Sequence, residues 1–582
     1  MYQNDHQAGI ERSMSHSQVS CNVAIIGGGP AGSTAGSLLK KYNPDLQVAI
    51  FEREVFPRDH IGESLLPPIS HILDEMGCWD KIEAANFPIK LGATYRWGKK
   101  PELWDFDFVP VDQFKEQPRP GKFEGQRRST AFQVDRSIYD KILLDHAATL
   151  GCEVRQGVKV TAVTHEGDRV KSLTLDSGES VQADHYIDAS GNSGILRRAL
   201  SVECQYHSSL QNIAIWDYWQ NAEWAVKIGV GGTRIQVRSL PYGWIWFIPM
   251  GPTRTSIGLV IPVSYYKQSG LKPAELYAKA LQDEQTVSAL LKHAQSEGNL
   301  QSTKDWSFIA DRHTGENWYL IGECAGFADP ILSAGVTMAH IAGQQVACTI
   351  NEIELGGEAT WLKAEFGSRQ RHRINTHIRF GDYWYTANEQ LKELKEFTSV
   401  LAQDSGLNLT PEGAWDWISR GGFIDEESVV GSGGFGLSAL KDSKDFLADL
   451  SFESPLEKNN VFLLDLVGST TKEVASFSAG RVRKIPCFVR GERTLPVQGA
   501  IELLVRILAH ESKMACILDA LYKVGQQNSE NREFIEGVLT EVMPSLEAMI
   551  RDGWVRASYD PKQPLAQLDR KFSGFHPNKD NV

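Results

Sequence analysis

Gly27, Gly29 and Gly32 have the spacing of a loop whose backbone closes on a pyrophosphate. Glu52, about 20 residues beyond Gly32, is placed to hold a ribose hydroxyl. The three glycines act differently, in that Gly27 makes the tight turn, Gly29 admits the phosphates, and Gly32 lets helix pack on strand. Pro30 and Ala31 begin that helix, whose free N–H groups favour an anion by up to about 2 kcal/mol. The chemistry is the binding of a dinucleotide. Arg136, at the mouth of a later helix, suits a phosphate or ribose. Glu63 and Ser64 precede a helical apolar pattern and either cap it or reach the cofactor. Ser333-Ala334-Gly335-Val336 follows the acid Asp329 and opens a helix that would aim N–H groups at an anion or an electron-rich ring. Lys90 lies between apolar neighbours, and its residue type alone assigns it to the solvated face of a strand.

These groups need elements to hold them. Val23–Ile26 reads as a strand buried on both faces, followed by a small-residue helix and a second strand, Val48–Phe51, that ends in Glu52. Phe87–Gly98 reads as a strand and 130–148 as an amphipathic helix. Residues 151–189 are strand-rich and end in the turn Asp188-Ala189-Ser190-Gly191, which would approach the same cofactor. In Trp244–Pro249 alternation places Trp244, Trp246 and Ile248 on one face and Ile245 and Phe247 on the other, which by itself describes an aromatic core. Trp318–Ile321 is a further buried strand, and 357–400 carries helical periodicity. Gly431–Gly436 lacks the Gly-Lys-Ser/Thr of a phosphate-binding P-loop and reads as part of a loop-rich lid. Residues 499–558 look like several helices closing in a turn and strand, as in a small winged-helix-like module, without the basic face that DNA binding needs.

The chain has 582 residues, enough for about two to four domains. A net charge of -13 argues against nucleic acid and against anionic membrane surfaces as partners. No apolar run is long enough to span a bilayer, and residues 1–20 lack a signal-peptide core and read as a disordered tail, so a cytoplasmic location is expected. Eight cysteines without CxxC spacing indicate neither a disulfide framework nor a metal site.

The fingerprint, the Asp135-Arg136 helix entrance and the turn Gly322-Glu323-Cys324-Ala325-Gly326-Phe327-Ala328-Asp329-Pro330 together resemble the FAD module of the glutathione reductase-like, single-component flavin monooxygenases, over roughly residues 21–350. That resemblance implies FAD as the dinucleotide, with Asp329 and Glu323 near its ribityl chain and Arg53, Ser64, Arg136, Val160, Gly335 and Val336 among its contacts. Within that clan, Trp244-Ile245-Trp246-Phe247-Ile248-Pro249 is similar to the WxWxIP signature of flavin-dependent halogenases, and Phe87–Gly98 to their FxxKxGAxxxWG strand. The resemblance makes Lys90 the catalytic lysine, overturning its reading as a surface residue. It implies that reduced FAD, dioxygen and chloride or bromide generate hypohalous acid. The oxidant would reach Lys90 through a tunnel walled by Trp244, Trp246, Ile248 and Pro249, and the halide would lie against the N–H groups of Ala334 and Gly335. Leu332 stands where tryptophan halogenases carry glutamate, which favours a phenolic, pyrrolic or carrier-tethered acceptor. Asp305 is a possible counterpart of the aspartate that holds flavin covalently in some members.

The expected fold is α/β: a glutathione reductase-like FAD-binding fold with an inserted mixed sheet on the substrate side and a mostly helical C-terminal extension. The expected domains are the module at 21–380, with the substrate sheet mainly in 87–130 and 205–310, a loop-rich cap at 381–495, and a helical module at 496–582. A separate NAD(P)H flavin reductase is the implied partner. The alternatives are an NADPH-dependent aromatic hydroxylase of the same clan and a noncatalytic flavoprotein or docking scaffold.

Overall fold

The computed structural model describes residues 18–97, 103–109, 114, 115, 117–225, 227, 231–387, 455–491, 493–527, 542, 543, 545–547, 549, 550, 552–565 and 575–577. The first sheet is built on Gln18–Ile26, whose last four residues are buried, with parallel neighbours Val48–Glu52 on one side and Ser180–Asp188 on the other. Glu153–Gln156 extends it past Val48–Glu52, and Trp318–Leu320 pairs in parallel with Ser180–Asp188. Antiparallel strands Val160–Glu166 and Arg169–Leu175 complete the far edge. Helices Pro30–Tyr42, Arg136–Thr149 and Gly335–Glu354 lie together on one face. Pro30–Tyr42 and Gly335–Glu354 touch closely: a Cβ on Gly343 would come within 2.6 Å of the Ala31 carbonyl oxygen.

The second sheet is mixed and larger. Its order is Gly326–Phe327, Gln301–Ala310, Cys204–Gln220, Arg254–Pro262, Gly243–Pro249, Gly232–Leu240, Ile89–Arg96, Trp104–Asp107 and Phe575–Pro577. All neighbours are antiparallel except Gly232–Leu240 with Ile89–Arg96, which run in parallel. One face packs Ile245, Phe247, Ile257 and Leu259 against helix Pro273–Asp283. The other packs Tyr95, Trp97, Trp244, Trp246 and Ile248 against Ala325, Ala328, Ile331 and Ala334 of the late turn.

Helix Ala359–Ala387 follows, and residues 388–454, which include the glycine run at 431–436, lie outside the described residues, as do 1–17. The strand Gln18–Ile26 begins inside the segment read as a tail. Besides the end of helix Ala359–Ala387 and the short helix Pro455–Lys458, the described part of 381–495 forms strands: Thr470–Ser478, Arg481–Arg490 and Arg493–Pro496 make an antiparallel sheet. Val461–Leu464 pairs with Val555–Ser558, and Leu456, Phe462, Leu504, Ile517 and Trp554 share one core. A boundary at 495 therefore cuts a packed unit, because the strand Val461–Leu464 finds its partner near residue 557 and local sequence cannot show it.

Candidate active site

The fingerprint loop has the expected local geometry. Gly27 has φ +104, and a Cβ there would meet the Ala189 carbonyl oxygen at 2.4 Å; a Cβ on Gly32 would meet the Gly27 oxygen at 2.0 Å. Gly29 differs, since among the described residues the only atom within 4 Å of its Cβ would be Arg58 Nη2 at 3.8 Å, which leaves space beside it. Helix Pro30–Tyr42 has no side-chain cap and no acid in its first turn, which leaves its N–H groups to a phosphate. The Glu52 carboxylate accepts the Gly28 and Glu54 N–H groups at 2.7 and 2.9 Å. Arg53 lies at the rim, bonded to Ser193 at 3.1 Å. Val160 is buried two residues past Val158, whose N–H bonds the Glu52 carbonyl.

Residues 63–65 pair with 132–134 through Leu65 to Phe132 and Val134 to Glu63, which brings Ser64 against the helix carrying Arg136. Arg136 is 5% exposed and does not reach outward: Nε and Nη2 donate to Asp140 at 2.7 and 2.8 Å, and Nη1 to the Ile61 carbonyl at 2.7 Å. It orders the segment around Gly62 rather than offering a free fork to phosphate, and Arg58, which no motif flagged, is the guanidinium that faces Gly29. The Ser64 hydroxyl and the Thr337 hydroxyl are buried without a hydrogen-bond partner among the described residues. Those orphaned groups and the open space at Gly29 fit FAD. Glu52 and the Pro30–Tyr42 N-terminus would hold its adenosine and pyrophosphate ends, and Ser64 would lie along it.

The late turn separates the two acids assigned to it. Asp329 is buried and accepts from the Ile331 N–H at 2.8 Å, from Tyr385 at 3.2 Å and from Asn212 at 3.4 Å. Glu323 instead lies 3.8 Å from where a Gly191 Cβ would be, and its charge acts on Arg136 and His60. Glu323 therefore borders the Asp188–Gly191 turn. Helix Gly335–Glu354 starts at Ala334 without a side-chain cap, so the Gly335 and Val336 N–H groups have no intrahelical acceptor. Val336 lies against Gly62. His340 on this helix bridges Thr34 and Tyr139 at 2.8 Å each; burial lowers it to about 3, so the ring is neutral. The side chains of Asp305 and Leu332 lie outside the described residues.

Lys90 is 1% exposed, not solvated. A one-residue slip sets its direction: Thr233 pairs with Lys90 and Arg234 with Gly92, leaving Leu91 as a bulge. Lys90 so shares the parity of Thr233, Ile235 and Val237, and Val237 is the partner of Trp246. Its ammonium stands 5.4 Å from the Phe108 ring centroid. Burial lowers its affinity for a proton from 10.5 to about 7, with no acid among the described residues offsetting the effect. The opposite face holds a different chemistry: Arg234 bridges Asp105 at 3.0 Å and Asp107 at 2.6 Å, all three buried. Trp246 lies flat over Gly258, where a Cβ would come within 2.0 Å of its ring. Trp97 meets Trp244 edge-on at 6.4 Å.

A glycine loop shaped for a dinucleotide, a buried lysine and a sheet face lined by indoles occur together in this chain. Residues 22–123 and 111–393 match the family profile described as tryptophan halogenase, and the chain belongs to this family of flavin-dependent halogenases. It is 33% identical over 60% of its length to a tryptophan 2-halogenase of Chondromyces crocatus, of whose length the match spans 65%. It is 34% identical over 55% of its length to a 1H-pyrrole-2-carbonyl-[peptidyl-carrier protein] chlorinase of Pseudomonas fluorescens, covering 73% of that protein. Among solved structures, the flavin-dependent halogenase CmlS superposes with a TM-score of 0.68 at 25% identity, covering 96% of this chain and 99% of CmlS. The mixed α/β fold is that of the FAD-dependent halogenases. Among the described residues no helix is long and apolar enough to cross a membrane.

Proposed function

We propose that the chain halogenates an electron-rich aromatic, phenolic or carrier-tethered, in the biosynthesis of a natural product, with Lys90 as the catalytic residue. Held by Glu52, Ser64 and the Pro30–Tyr42 N-terminus, reduced FAD would supply the chemistry that turns dioxygen and chloride or bromide into hypohalous acid, with a separate flavin reductase as its source of electrons. The halide would lie against the N–H groups of Ala334 and Gly335 at this uncapped helix start, and the buried Thr337 hydroxyl in the same turn offers a further donor. Trp244, Trp246, Ile248 and Pro249 exclude water from the route to Lys90 and keep the aromatic away from the cofactor loop.

The observation that carries this reading is Lys90: a buried amine, on the indole face of the sheet, with no acid among the described residues to fix its charge. With its pKa lowered to about 7, both forms are present at neutral pH. The ammonium donates to the oxygen of the hypohalous acid and polarises the halogen; the free amine accepts it. In the transfer a carbon–halogen bond forms, the oxygen–halogen bond breaks, the ring gives up its proton, and water leaves. The carrier-tethered option draws on the pyrrole-carrier chlorinase among the relatives. The test is purified protein with FAD, a reductase, NADH and chloride or bromide, against free and carrier-bound phenols and pyrroles. Halogen isotope patterns in the product support the reading, and hydroxylated product overturns it in favour of an aromatic hydroxylase.

A further inference from the structure

We propose that Ser256 and Tyr385 are positioning residues that key the two tunnel indoles to the two segments enclosing the cofactor, each through one hydroxyl and one buried carboxyl group. The inference rests on the halogenase reading above and deepens it. The Trp246 indole N–H donates to Ser256 Oγ at 3.1 Å, and Ser256 donates to Glu63 at 3.4 Å. The Trp244 indole N–H donates to Tyr385 at 2.8 Å, and Tyr385 donates to Asp329 at 3.2 Å. An indole has only a donor and a carboxylate only acceptors, so a hydroxyl, which does both, is the group that can join them in this order.

Both carboxyl groups are held from the cofactor side. Glu63 accepts the Gly62 N–H at 3.2 Å and Tyr218 at 3.1 Å, next to the backbone that Arg136 grips. The Tyr218 ring lies 4.0 Å from the Arg254 guanidinium, which bonds Asp135, the N-cap of the Arg136 helix, at 2.7 Å. Asp329 caps Ile331 in the turn that leads to Ala334 and Gly335. All four relay residues are buried. Swinging either indole would leave a buried N–H without its acceptor, so each ring is pinned where it walls the tunnel. Two segments far apart in sequence thus hold the two indoles of one strand.

The test uses the FAD-loaded full chain and the variants Ser256→Ala, Ser256→Thr, Tyr385→Phe and Asp329→Asn. Halogenated product and hydrogen peroxide are each measured per dioxygen consumed, tryptophan fluorescence anisotropy decay is recorded without turnover, and oxidation of Trp244 and Trp246 is read by peptide mass spectrometry after turnover. Loss of one relay bond is expected to cut product per dioxygen about fivefold, to add a fast component to the anisotropy decay, and to raise indole oxidation. FAD affinity should not change for Ser256→Ala and Tyr385→Phe, and Ser256→Thr should restore all readouts. Unchanged coupling and unchanged anisotropy in Ser256→Ala and Tyr385→Phe would overturn the proposal. Should Tyr385→Phe fail to fold, Asp329→Asn reports on the same relay. A wild-type protein that makes no halogenated product would sink the halogenase reading, while the anisotropy comparison would still decide the relay.

Discussion

Replacing Lys90 with methionine keeps the length of the side chain and removes the amine, and the outcome for stability follows from burial. The folded chain lowers the proton affinity of Lys90 from 10.5 to about 7, and no acid among the described residues pairs with it to compensate. At about 1.4 kcal/mol per tenfold change, the difference amounts to on the order of 5 kcal/mol. The sign is unfavourable to folding: between pH of about 7 and 10.5 the unfolded chain holds a proton that the folded chain has released, so this group's contribution to stability rises with pH across that window. The penalty is full below pH of about 7 and vanishes near 10.5. Lys90→Met should therefore be more stable than wild type by several kcal/mol at pH 6, with the gap closing steadily towards pH 10. Reversible chemical denaturation of both proteins over this pH range measures the gap. A constant difference across pH, or a less stable variant at pH 6, would show that Lys90 is hydrated or paired in solution and would remove the physical basis for its tuning.

Three further outcomes follow from single contacts. Gly32→Val should yield colourless protein, since the new Cβ would fall 2.0 Å from the Gly27 oxygen and force the loop open; flavin absorbance after purification checks it. Gly258→Ala should displace Trp246, whose ring lies 2.0 Å from the new Cβ, costing about 1–3 kcal/mol and shifting tryptophan emission. Arg234→Met removes the guanidinium from between the buried carboxylates of Asp105 and Asp107 and should cost about 3–5 kcal/mol in urea unfolding at pH 7.

What the sequence made legible was local chemistry. The turn from Gly27 to Gly32 is dictated by glycine positions a few residues apart, and the alternation of Trp244, Trp246 and Ile248 places them on one face whatever strand lies beside them. The direction of Lys90 was not legible, because it depends on a bulge at Leu91 against a partner strand more than 140 residues later in the chain. Only the family resemblance pointed to the lysine, and residue type alone pointed the wrong way. Glu323 and Asp329 look alike as acids in one glycine-rich turn, and it takes Gly191 beside the first and Tyr385 and Asn212 beside the second, all from other elements, to tell them apart. The C-terminal unit was hidden for the same reason: Val461–Leu464 carries no sign of its partner Val555–Ser558, nor Trp104–Asp107 of the strand Phe575–Pro577.

The central claim is that oxidant generation and halogen transfer occupy different parts of one molecule, joined by Lys90. In Lys90→Met, with FAD, reductase, halide and the aromatic acceptor present, hypohalous acid captured by an added thioether trap should continue at close to the wild-type rate while halogenated aromatic falls to background. Retention of halogenated product in that variant, or loss of trapped oxidant together with product while FAD remains bound, would contradict it.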